Sequence, residues 1–186
     1  GSNGLTSARH DVLSHYIKEK YPESYDNDLP SELAYCGSKN LTDKLEGFNI
    51  DIGKMLLSPT RSYAPLLKLI FDEIGRNKIN GIIHCTGGGQ TKILHFIDNL
   101  HIIKNNLFEI PPIFKLIMNE SNTDPKEMYK VFNMGHRMEI YLDPENASKV
   151  IDISKSVGID ARIIGEVIES DFKRLSIQSE LGNFDY

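Results

Sequence analysis

The run Ile79-Asn80-Gly81-Ile82-Ile83-His84-Cys85-Thr86-Gly87-Gly88-Gly89 constrains this chain more than any other stretch. Residues 79–84 read as a short, largely apolar buried strand. The strand stops at three consecutive glycines, an arrangement that is costly in backbone entropy. One glycine suffices for a turn. Three in a row suit a place where backbone approaches a ligand closely, or where successive N–H groups form an anion nest. The run is not a Walker loop, because no Lys-Ser/Thr follows, and it lacks the GxGxxG spacing. The competing reading is a sharp strand-to-helix turn. A helix is expected over Thr91–Asn99, which would add its N-terminus to the same field. His84 stands at the strand end, where open sheets bind ligands. It reads either as a proton carrier or hydrogen-bond donor, or as a satisfied core histidine.

The remaining sequence bounds what such a loop can serve. A chain of 186 residues suggests one domain. With 40% hydrophobic and 25% charged residues it has ordinary globular usage, which excludes wholesale disorder. The net charge of −5 argues against a phosphate-backbone binder, so no nucleic-acid partner is expected. No apolar run approaches the roughly 20 residues that span a bilayer. There is no basic start followed by an apolar region of the secretory type. Cys36 and Cys85 lie far apart and form no CxxC pair, so reduced thiols and a cytoplasmic location are expected.

Helices and strands alternate irregularly along the chain. Leu5, Ala8, Val12, Leu13, Tyr16 and Ile17 predict one opening helix. Residues 21–59 read mostly as irregular connection, with short elements at 41–45 or 52–57. A helix is expected from Arg61 to Gly75, with Thr60 as N-cap and Gly75 beyond its end. After the glycine run come a strand at 101–107, helices at 113–118 and 125–130, a strand at 137–142 and a helix at 144–157. A strand at 161–168 follows, then an edge strand at 174–178 and a frayed tail after Glu180. The fold class this predicts is α+β, with α/β layers: one mixed sheet flanked by helices.

Three further runs carry chemistry-bearing residues. In Phe132-Asn133-Met134-Gly135-His136-Arg137-Met138, a tight turn presents an amide just before a strand. Arg137 reads equally as a bidentate phosphate clamp and as a strand residue with a salt-bridge partner. Ser2-Asn3-Gly4 precedes a helix, and by itself is more often a turn than an anion cradle. Leu57-Ser58-Pro59-Thr60-Arg61 reads as a helix entry. His10, His15, His95 and His101 form no HExxH-type arrangement, so no metal constellation is expected. No nucleophile elbow is present.

In order, Ser2-Asn3-Gly4, Leu57-Ser58-Pro59-Thr60-Arg61-Ser62-Tyr63, Ile83–Gly89, Glu127-Met128-Tyr129-Lys130-Val131-Phe132-Asn133-Met134-Gly135 and Ile163-Ile164-Gly165-Glu166-Val167 resemble one family. It is phosphoribosylformylglycinamidine cyclo-ligase, also called aminoimidazole ribonucleotide synthetase, and the resemblance is to its C-terminal domain. It implies a purine-biosynthetic ligase that turns formylglycinamidine ribonucleotide and ATP into aminoimidazole ribonucleotide, ADP and phosphate. It implies ATP and Mg2+, both held mainly by a preceding N-terminal ATP-binding and dimerisation domain, and a homodimer in the full-length enzyme. On this resemblance residues 1–186 are a single C-terminal-type domain without that preceding domain, and inactive alone.

The site residues implied are Ser2, Asn3 and Gly4 in an anion cradle, and Thr86, Gly87, Gly88 and Gly89 as further phosphate contacts. His84 is implied as hydrogen-bond donor or proton carrier, Asn133 and Gly135 as shaping the substrate pocket, and Arg137 as a phosphate clamp. The sequence identifies no general base and no metal ligand. Two departures stand out: the family commonly has small apolar residues and glycine where His136-Arg137 stand, and the 21–58 connection is long. A non-catalytic phosphate- or nucleotide-binding module is the alternative, as is a related superfamily enzyme with another substrate.

Overall fold

The computed structural model describes residues 3–58 and 61–186. The opening apolar periodicity forms two helices rather than one, α1 (Asn3–Val12) and α2 (His15–Lys20). The break has a visible cause. Residues 37–39 run alongside the end of α1, where Gly37 N–H donates to Leu13 O and Lys39 N–H to Val12 O, both at 3.0 Å, and Ser14 N–H donates to Lys39 O at 2.9 Å. A Cβ on Gly37 would lie 2.1 Å from Val12 O, so only glycine permits this approach.

The long connection contains two 3₁₀ turns and the short α3 (Ile52–Leu56). Asp51 caps α3, its carboxylate accepting from Lys54 N–H at 2.7 Å. The next helix, α4 (Ala64–Ile74), starts three residues later than its periodicity predicts. Thr60, its expected N-cap, lies outside the described residues. Gly75 ends it with φ 92°, as expected of a glycine there.

Two sheets form where one was expected. β1 (Ile79–His84) and β3 (Met138–Leu142) pair antiparallel as a two-stranded ladder, with Ile83 opposite Glu139 and His84 opposite Met138. The other sheet has strand order β4-β2-β5-β6, from β2 (Leu100–Lys104), β4 (Gly165–Glu169), β5 (Arg174–Ser179) and β6 (Gly182–Asp185). Its β2–β5 pair is parallel and its other pairs antiparallel, so it is mixed, as predicted. Helices α5 (Pro112–Ser121), α6 (Pro125–Val131) and α7 (Pro144–Ser156) each begin with proline in the first turn, where the missing N–H costs nothing.

The tail is not frayed. Residues 182–185 form β6, which makes β5 an internal strand rather than an edge. Tyr186 closes the hairpin by exchanging backbone hydrogen bonds with Leu175, at 2.9 and 3.1 Å. Residues 161–164, expected as strand, are irregular. The main core joins Val12, Ile52, Ile102, Met128, Leu175 and Ile177. A smaller one, Leu66, Ile70, Val150 and Ile153, seats α4 and α7 on the β1–β3 ladder.

Candidate functional site

The fold brings the two unusual runs of the sequence together. The β1–β3 ladder continues one step past its end, where Cys85 N–H donates to Arg137 O at 2.9 Å. The glycine loop and the Asn133–Arg137 turn therefore lie side by side. Gln90 ties them again, its amide Nε2 donating to Asn133 O at 2.7 Å and to His136 O at 3.4 Å.

Gly87, Gly88 and Gly89 all adopt positive φ, at 58°, 90° and 48°. Gly89 is glycine for a second reason. A Cβ there would sit 2.5 Å from Phe132 O and 2.6 Å from Tyr129 O, so this residue packs on the end of α6. The expected helix after the loop is instead a 3₁₀ helix, Gly89–His95, too short to add much field of its own. The loop's polar resource is its backbone. Among the described residues the N–H groups of Gly87 and Gly88 donate to no protein acceptor.

The Asn133 turn is preorganised. Asn133 Oδ1 accepts from Gly135 N–H at 2.9 Å, and Asn133 O accepts from His136 N–H at 2.9 Å. Met134 is buried with φ 50°, an uncommon conformation for a side chain of this size, and Gly135 follows at φ 103°.

A groove of about 1580 Å³ is lined by both sheets and takes in His84, Lys92, Asn133, Gly135 and Arg137. Thr86 and the three glycines border this region through their neighbours but do not line the groove itself. His84 is exposed, with its ring edge-on to Tyr63 at 6.5 Å. Arg137 is exposed too, and its guanidinium has no protein partner among the described residues, so the salt-bridge reading of this residue does not hold. Ser2 lies outside the described residues. Asn3 and Gly4 are described only as backbone of the first turn of α1.

Sequence reasoning missed a buried polar cluster beneath the loop. Lys104 Nζ donates to Glu139 Oε1 at 2.5 Å, to Gln90 O at 2.9 Å and to Gln90 Oε1 at 3.0 Å. Tyr141 OH donates to Glu139 Oε2 at 2.6 Å. Lys104 is 1% exposed and Glu139 5%, so this pair is fully withdrawn from water. Burial, then the neighbouring Glu139 carboxylate, pushes the Tyr141 phenol and the Cys85 thiol well above their ordinary ranges. Both are locked as neutral groups. The clue in the sequence was the Glu139-x-Tyr141 spacing, which puts both side chains on one face of a strand.

Lys92, also unforeseen, holds the loop from another side. Its Nζ donates to Thr86 O at 2.9 Å and His84 O at 3.1 Å. His136, one of the two departures from the family pattern, is buried and stacks obliquely on Phe108 at 5.1 Å. Its Nε2 accepts from Phe108 N–H at 3.0 Å, and burial lowers its pKa to about 4. It fills the interior, whereas Arg137 faces the groove. Cys36 is exposed and Cys85 buried, both as free thiols.

Among the described residues no group of three His, Cys, Asp or Glu side chains stands together as a metal site. No helix among them is long and apolar enough to cross a membrane.

The chain is similar to known proteins over most of its length. Phosphoribosylformylglycinamidine cyclo-ligase of Methanococcus vannielii is 36% identical over 146 residues, 76% of this chain and 41% of that protein. The enzyme of the same name from Methanocaldococcus jannaschii is 36% identical over 70% of this chain and 37% of its own length. That of Methanopyrus kandleri is 32% identical over 90% of this chain and 41% of its own length. The chain thus spans about two fifths of the relatives it matches. The crystal structure of E. coli HypE, a hydrogenase maturation protein, superposes with a TM-score of 0.46 at 22% identity, covering 61% of this chain and 35% of that one. Residues 36–178, which include both the glycine loop and the Asn133 turn, match the family described as AIR synthase related protein, C-terminal domain, and the chain belongs to that family.

Proposed function

We propose that this chain is the C-terminal part of an ATP-dependent cyclo-ligase that closes formylglycinamidine ribonucleotide to aminoimidazole ribonucleotide. The observation that carries the reading is the junction of the glycine loop with the Asn133–Arg137 turn beside one groove, in a chain whose relatives bear that enzyme's name.

The reaction has a clear physical demand. An amide oxygen is a poor leaving group, and ATP supplies the phosphoryl group that turns the formyl oxygen into a phosphate ester. An amidine nitrogen then attacks the formyl carbon, the C–O bond breaks, phosphate departs and the attacking nitrogen gives up a proton. The protein's contribution is orientation and stabilisation of phosphate charge. In this reading the free N–H groups of Gly87 and Gly88 donate to phosphate oxygens, and the unpaired guanidinium of Arg137 offers a bidentate charge-assisted contact. Thr86 and Gly89 set the loop's course. Asn133 and Gly135 shape the groove beside it, and His84 stands at the strand end to donate a hydrogen bond or move a proton. Ser2, Asn3 and Gly4 belong to a further anion cradle. In this reading magnesium is held mainly by the preceding domain.

The test is product analysis. The full-length protein that carries this chain is incubated with formylglycinamidine ribonucleotide and ATP. One ADP is expected per aminoimidazole formed, the latter read by diazotisation of its amine. The 186-residue chain alone is expected to give none. ATP hydrolysis without aminoimidazole, or no reaction by the full-length protein, refutes the reading and leaves a binding module in its place.

A further inference from the structure

We infer that the buried Lys104–Glu139–Gln90 cluster is a positioning device that fixes the glycine loop and the Asn133 turn relative to each other, with Lys104 as its hub.

The argument begins with what the cluster touches. All three donors of the Lys104 ammonium are engaged, on Glu139 Oε1, Gln90 O and Gln90 Oε1. Glu139 is satisfied on both oxygens, by Lys104 and by Tyr141. The Gln90 amide passes the constraint on, since its carbonyl oxygen receives Lys104 and its nitrogen donates to Asn133 O and His136 O. The cluster therefore ends, on each side, on backbone carbonyls of the two loops. The Lys104 ammonium has no donor left for a ligand, and the pair lies buried at the back of the groove, so the cluster acts through its hold on the two loops.

Stability alone does not account for it. Burying an ammonium and a carboxylate costs several kcal/mol per ion, and an apolar pair of similar volume is often as stable or more so. An apolar pair, however, has no directional hold on Gln90 or Asn133. What the charged cluster adds is register: a loop with three positive-φ glycines has many alternative courses, and Gln90 is the residue at which it is pinned.

The experiment replaces the network without leaving a lone buried charge. The double variant Lys104→Met/Glu139→Leu removes both charges together, and Gln90→Met leaves the ion pair but cuts the link to Asn133. Three measurements are made on each: urea unfolding, amide hydrogen exchange and ATP titration. Gln90→Met is expected to unfold at urea concentrations close to the parent's, and the double variant at lower ones, because Glu139→Leu also takes the acceptor from the Tyr141 hydroxyl. Their Thr86, Thr91 and His136 amides, which are hydrogen-bonded within the two loops, should exchange on the order of tenfold faster, with Leu175 in β5 unchanged as control. The inference is overturned if these loop amides keep the parent's exchange rates in a folded variant. It is equally overturned if the double variant fails to fold while Gln90→Met leaves exchange unchanged, which would make the pair a stability element only. The functional consequence, roughly tenfold weaker ATP binding by both variants, rests on the proposed ligase reading. A full-length parent protein that binds no ATP defeats that reading, while the exchange data still judge this one.

Discussion

His136 gives the site a built-in acid sensitivity whose size follows from its surroundings. The ring is 4% exposed, and burial pushes its pKa down to about 4 from 6.5; the Lys104 and Arg162 cations push the same way, while the Glu139 carboxylate opposes them. The geometry agrees, because Phe108 N–H donates to Nε2 at 3.0 Å and so needs a lone pair there, which only the neutral ring provides. A histidine with a depressed pKa is protonated more readily in the unfolded chain. Its contribution to stability is therefore complete above pH 6.5 and is lost as pH falls toward 4. Each pH unit in that window costs about 1.4 kcal/mol, so the deficit at pH 4.5 relative to pH 7.5 is about 2.5 kcal/mol. The comparison variant is His136→Gln, whose side-chain carbonyl can still accept from Phe108 but does not titrate. Urea unfolding at half-unit steps from pH 7.5 to 4.5 on both proteins isolates the histidine, since the carboxylates are common to both. The wild-type curve should fall below the variant's by that amount as the pH drops. Parallel curves, or a His136 resonance (identified by its loss in His136→Gln) titrating near 6.5, would refute the assignment of a buried neutral ring.

Gly89→Ala should destabilise the fold by about 3 kcal/mol in urea titration, from left-handed backbone strain plus a clash with Phe132 O and Tyr129 O; Gly47→Ala, with open space around it, should cost only about 1 kcal/mol. Arg137→Ala should leave thermal stability unchanged, because the side chain is exposed and unpaired, yet weaken phosphate-ligand binding by roughly tenfold in calorimetric titration. Deleting residues 182–186 should lower the thermal midpoint by at least about 5 °C, since it strips β6 from β5 and removes the Tyr186 OH bond to Lys126 O.

Much of the fold was legible because local chemistry and final structure agree. The Ile-rich run at 79–84 has one length and one composition, and it is a strand. Asp143-Pro144 and Gly158 bracket α7 in the way helix ends require. The failures are equally physical. β6 was missed because its hairpin turns through Glu180-Leu181, which lacks turn-forming residues, and is held by Ser179 Oγ and by Tyr186 pairing back to Leu175. The break between α1 and α2 is imposed by residues 37–39, and no periodicity within the helix reports it. At the site, the glycine loop and the Asn133 turn were both visible as anomalies of backbone chemistry. Lys104 and Glu139 were not, since each is an ordinary charged residue in a strand. They become a pair only when the fold brings Lys104 of β2 within reach of Glu139 of β3.

The acidic balance of the chain sets one more requirement that the loop meets in an indirect way. In the proposed reading, a net charge of −5 requires phosphate binding to come from local groups. Lys92 looks at first like the obvious cation for that task, but its ammonium is spent on the carbonyls of His84 and Thr86. Its effect travels through the peptide plane. In a trans peptide the C=O and the following N–H point in opposite directions, and the chain has no cis bonds among its described residues. Holding Thr86 O toward Lys92 therefore turns the Gly87 N–H away from it, into space where no protein acceptor waits. The lysine thus fixes the direction of a donor instead of supplying the contact, and among the described residues Arg137 is the groove cation whose charged group has no protein partner. The loop thereby gains an outward Gly87 N–H of fixed direction without a long helix behind it, since only a seven-residue 3₁₀ helix follows.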